Sequence, residues 1–114
     1  MQTKIKRSVA ILLAHIIKRD KRDLKREAPL FCKLLGEDFN CDTEESQQML
    51  EEILSSEYDL DEHLTIINDA LKDDEFSKMQ ILKQFNHIIY SDKIEPRDYE
   101  EFEKVKRTLF PHIQ

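Results

Sequence analysis

Two pairs of acids are spaced for joint chemistry, Asp20 with Glu27 and Asp92 with Asp98. Carboxylate oxygens are the ligands that hard divalent ions such as Ca²⁺ or Mg²⁺ take. A basic run, Lys18, Arg19, Lys21, Arg22, Lys25 and Arg26, could attract phosphates or anionic lipid. The other reactive residues are dispersed. His15, His63, His87 and His112 never fall at zinc spacing, and Cys32 and Cys41 form no CxxC. There is no phosphate-binding or dinucleotide fingerprint. Asp59-x-Asp61 lacks the glycine and closing glutamate of a calcium loop and reads as a helix cap. No local signature joins a nucleophile to a base, so the chain reads as a non-enzyme.

The elements carrying these residues are helices. Among 114 residues there are one Gly and three Pro, and Leu, Ile, Lys, Glu and Asp fill long uninterrupted stretches. The expected fold is all-α, a compact bundle of about six helices in one domain spanning 1–114. Ile5, Val9, Leu12, Leu13, Ile16 and Ile17 predict a first helix from about Lys4 to Lys18 that buries one stripe. A second begins near Lys25 or bends at Pro29, carries Leu30, Phe31, Leu34 and Leu35, and stops at Gly36. Asp42 or Thr43 caps a third, burying Met49, Leu50, Ile53 and Leu54. A fourth follows with Leu60, Leu64, Ile67 and Leu71, then a fifth with Met79, Leu82, Phe85, Ile88 and Ile89. A sixth starts at Pro96 and buries Tyr99, Phe102, Val105 and Leu109.

The longest apolar stretch, Val9 to Ala14, is far short of the roughly 20 residues of a membrane-spanning helix. Lys18 and Arg19 stand where a signal peptide would have its small-residue cleavage site. With two unpatterned cysteines, a reducing compartment and a cytoplasmic location are expected. Net charge is −6, but residues 1–27 hold nine Lys/Arg against three Asp/Glu. That basic segment is either a solvated face paired with the acidic remainder or an anion-binding surface.

The chain repeats itself. His15-Ile16-Ile17-Lys18-Arg19-Asp20-Lys21 recurs as His87-Ile88-Ile89-Tyr90-Ser91-Asp92-Lys93, identical at five of seven positions. With one residue deleted after the aspartate, Glu27 falls on Asp98, Phe31 on Phe102, Lys33 on Lys104 and Leu34 on Val105. Each unit, about 8–36 and 80–110, is a helical hairpin that cannot bury its own stripe, so two pseudo-symmetric hairpins packed face to face are expected. Asp20 and Asp92 extend the apolar stripe at a helix carboxyl end, where the macrodipole disfavours a carboxylate. Something must compensate: N–H groups of the next helix's first turn, or a divalent cation shared with Glu27 or Asp98.

An apolar helix ending in Asp20, with Glu27 seven residues on, resembles the pattern helix, D-G-x-x-x-x-x-E, helix of the tellurite-resistance TerB-like domains, and Asp92 to Asp98 resembles it again. The family's glycine is Lys21 and Lys93 here, and the second copy has Asp98 one residue early. The resemblance covers about residues 8 to 110. It implies a pseudo-symmetric helical core and a metal-linked acidic surface of Asp20, Glu27, Asp92 and Asp98. It further implies a stress-response scaffold or sensor acting through a protein partner, in some cases within a membrane-associated complex or beside a J-domain, whose His-Pro-Asp signature is absent here. The rival reading is a peripheral binder of anionic membrane or, less favoured, nucleic acid, through the basic segment.

Overall fold

The computed structural model describes residues 1–112. A 3₁₀ turn, Thr3–Ile5, leads into six helices: α1 Lys6–Arg19, α2 Leu24–Phe39, α3 Thr43–Leu54, α4 Leu60–Ala70, α5 Glu75–Tyr90 and α6 Pro96–Leu109. Aspartates write most of the starts. Asp23, Asp42, Asp59 and Asp74 each accept a backbone N–H from the first turn of α2, α3, α4 and α5, which satisfies donors that a helix cannot pair internally. Pro96 opens α6 at a position where its missing N–H costs nothing.

α1 differs from the expected single-stripe helix. Ser8 to Ala14, Ile16 and Ile17 are all buried, because α2, α3, α4 and α5 all pack on it. A helix apolar on every side belongs inside, and the unbroken run Val9–Ala14 carries that information. Gly36 does not end α2. It lies within the helix, which runs through Pro29 and stops at Asn40, whose φ of 55° provides the left-handed cap. Met79 and Tyr99, expected in the core, are 38% and 53% exposed, and Phe102 is only partly buried. Phe31, Phe85, Val105 and Leu109 are buried as expected.

The two hairpins are α1–α2 and α5–α6, and α1 packs against α5. α2 and α5 run antiparallel: Glu27 meets Ser91 near one end, and Asp38 meets Gln80 and Gln84 near the other. α3 covers α1 and α2, while α4 lies on α1 and α6.

Candidate functional site

α1 ends in a Schellman turn. Arg22 N–H donates to Ile17 O and Lys21 N–H to Lys18 O, with Lys21 left-handed at φ 52°. This turn swings Arg22 back under the other hairpin. Its guanidinium, with the side chain only 3% exposed, donates to Ile88 O at 2.6 Å, Ile89 O at 2.8 Å and Lys93 O at 3.2 Å. The last carbonyls of α5 are thereby capped by a charge that suits the negative end of a helix.

Three of the four singled-out acids surround the same guanidinium. Asp20 Oδ2 and Glu27 Oε1 stand 3.9 Å from it and Asp98 Oδ2 stands 3.8 Å away. Asp92 lies apart, 3.8 Å from Arg26. The contacts cross between hairpins in repeat register. Arg97 Nη2 lies 2.9 Å from Asp20, as its counterpart Arg26 lies beside Asp92. Arg19 donates to Asp98 at 2.8 Å, as its counterpart Ser91 donates to Glu27 at 2.9 Å.

Asp20 and Asp98 lie within hydrogen-bond reach of each other. Burial, then the neighbouring Asp98, raises the Asp20 pKa, against the pull of Arg97. Burial pushes Asp98 upward too, but the bond from Asp20, the Glu95 N–H and Arg19 outweigh it and hold Asp98 below the usual carboxylate range. On acidification the pair therefore takes up its first proton on Asp20.

This arrangement does not fit the cation that the TerB resemblance implies. The acids converge on Arg22, which fills with its own positive charge the space a Ca²⁺ or Mg²⁺ ion would need, and a divalent ion wants six or more oxygens at about 2.0–2.6 Å. Among the described residues, no group of three or more His, Cys, Asp or Glu side chains is placed to hold a metal. The compensation at the α1 terminus comes from arginines.

The basic segment is divided by the fold. Arg19 and Arg22 are spent in this network, and Lys18 bonds Ser56 O while sitting 4.8 Å from the centre of the Tyr58 ring. Lys21, Lys25 and Arg26 remain exposed. Half of the residues proposed for anion binding thus serve the interior.

Beside the network, His15 joins three elements. Its Nδ1 meets Tyr58 OH and its Nε2 meets Glu101 Oε1, both at 2.9 Å, and Arg19 Nη1 donates to the same Glu101 oxygen at 2.7 Å. His15 holds Glu101 below the usual range despite burial, with Arg19 and Lys104 adding to the effect. Burial and Glu101 push the Tyr58 hydroxyl up. A hydroxyl, imidazole and carboxylate in line are the parts of a proton relay, but both imidazole nitrogens are engaged with protein partners here, tying the α3–α4 loop and α6 to α1. Sequence spacing could not find this cluster, since its members lie in separate elements.

A groove of about 380 Å³ opens on the surface between α2 and α5, walled by Leu34 and Glu37 on one side and Phe76, Met79, Lys83 and His87 on the other. Gln80 and Gln84 form its floor and bond Asp38. Phe76 is 81% exposed. Spacing gave no sign of this groove: Met79 falls in the apolar stripe of α5, where burial is expected, and Phe76 lies off it. Comparison with family models, curated proteins and solved structures finds no match to this chain.

Proposed function

We propose that the chain is a TerB-like, non-enzymatic scaffold or sensor module that acts in the cytoplasm by docking a protein partner in the α2–α5 groove, within a stress-response or membrane-associated complex. The observation carrying this reading is the exposed apolar wall of Phe76 and Met79, since large apolar side chains gathered at a concave surface favour burial by a partner. The TerB assignment draws support from the crossed hairpin contacts and from Lys21, which takes the left-handed conformation that the family's glycine at this position would adopt freely. No helix among the described residues is long and apolar enough to cross a membrane.

Helical peptides selected from a randomised display library on the whole protein would test this. Amide shifts induced by the selected peptides are expected at Leu34–Glu37 and Phe76–His87, and Met79→Glu is expected to abolish them. Affinity should persist at about 0.5 M salt, where exposed charges are screened. Binding that maps instead to Lys21, Lys25 and Arg26 and collapses with salt would overturn the reading in favour of a phosphate-binding surface.

A further inference from the structure

The α2–α5 groove has a counterpart in the same molecule, and that counterpart is filled. In repeat register α5 corresponds to α1 and α2 to α6, so the groove between α2 and α5 corresponds to the one between α6 and α1. α4 lies there. It buries Leu60, Leu64 and Ile67, one turn apart along a single face. Its Asp61 pairs with Lys104 of α6 at 2.6 Å, and its His63 bonds Ser8 of α1. α4 carries Asp61, Glu62 and Asp69 and no Lys or Arg.

The open groove offers matching features. Gln80 stands in the register of Ser8, and Lys33 in that of Lys104. Lys83 and His87 of the α5 wall make no ion pair among the described residues, nor does Lys33, which borders the neighbouring α2–α3 cleft one turn from Glu37, the acid of the groove wall, although acids outnumber Lys and Arg by 24 to 18 in the chain. From Phe76 to His87 the α5 wall runs about 16 Å at 1.5 Å per residue, the length of three helical turns.

We infer that the α2–α5 groove takes an acidic amphipathic helix of about three turns, with apolar residues at i, i+4 and i+7 against Leu34, Phe76 and Met79 and carboxylates toward Lys33 and Lys83. Helix-in-groove docking of this kind uses one apolar face for affinity and flanking charges for register. The inference rests on reading the groove as the docking surface and adds the chemistry of its occupant.

The test uses two designed peptides with the same apolar pattern, one flanked by glutamates and the other by lysines at the same positions, titrated into the whole protein at low salt by fluorescence anisotropy and amide shifts. The glutamate peptide is expected to bind at the groove roughly tenfold more tightly than the lysine peptide, and Lys33→Glu combined with Lys83→Glu to reverse that preference. Both lysines are exposed, so these variants leave the core untouched. Equal binding of the two peptides at the groove would overturn the acidic occupant while leaving the docking surface standing. Shifts confined to other surfaces would overturn both. Wild-type dimerisation lost in Met79→Glu, seen by analytical ultracentrifugation, would make a second copy the occupant and overturn this inference.

Discussion

Arg97 holds Asp20 at 2.9 Å from the opposite hairpin, and Asp20 is the acid of the buried pair whose pKa is raised. An asparagine amide at position 20 can donate to Asp98 and removes the repulsion between the two carboxylates, at the loss of a half-exposed pair with Arg97. Asp20→Asn should therefore cost under about 1 kcal/mol, the scale of one hydrogen bond. Asp98→Asn removes the charge that faces Arg19 and weakens the capping box of α6, and should cost about 3 kcal/mol or more. Urea unfolding of both variants measures the difference. Because the folded pKa of Asp20 lies above its ordinary 3.8, its contribution is complete below that value and is lost as pH rises through the folded pKa. Asp20→Asn should accordingly gain on wild type as pH rises.

Arg22 is the charge around which three carboxylates gather. Arg22→Met leaves those acids without a buried counter-charge and the α5 carbonyls without their donor, and should destabilise by about 3–5 kcal/mol. Wild-type amides of residues 20–27 and 92–98 should stay unmoved by millimolar Ca²⁺ or Mg²⁺, since the guanidinium holds the position. A saturable shift there would show that an ion displaces it.

Lys21 has a left-handed backbone, whereas Lys93, its repeat counterpart, is not among the positive-φ residues. A residue with a Cβ pays roughly 1–2 kcal/mol in that region, partly offset in glycine by its greater chain entropy. Lys21→Gly should thus stabilise by about 0.5–1 kcal/mol and Lys93→Gly should not. Thermal melts of the two variants side by side check this.

Glu101 titrates below its ordinary 4.5 because His15 bonds it. A depressed carboxylate contributes stability above its unfolded pKa and loses it as pH falls through the folded value. The stability difference between wild type and Glu101→Gln should be largest above about pH 4.5 and shrink on further acidification. A constant difference through that range would separate Glu101 from His15.

Much of the fold could be read in residue order. Asp42, Asp59 and Pro96 stand before periodic apolar runs and start α3, α4 and α6 as such residues do. The repeated His-Ile-Ile segment pointed to the α1–α5 contact. Gly36 misled, because glycine within a helix and glycine past its end look alike in a sequence, and Asn40 served as the cap. The need for compensation at Asp20 was legible from its place at a helix end. Its source was not, because Arg97 lies 77 residues away and Arg22 turns inward only once the Schellman turn forms. The α2–α5 groove was hidden for a related reason: periodicity marks which side chains seek cover, and among the described residues α5 keeps apolar side chains, Phe76 and Met79, that its neighbours leave exposed.

The burial of α1 on all sides bears on how the protein is made. α1 leaves the ribosome before the other five helices and is covered in part by α5, which ends at Tyr90. At about 5–20 residues per second, roughly 4–15 s pass between the synthesis of α1 and the arrival of that cover. During that interval the run Val9–Ala14 is sticky surface in search of a surrogate, and an amino-terminal fragment ending before α5 is a natural client for a holding chaperone.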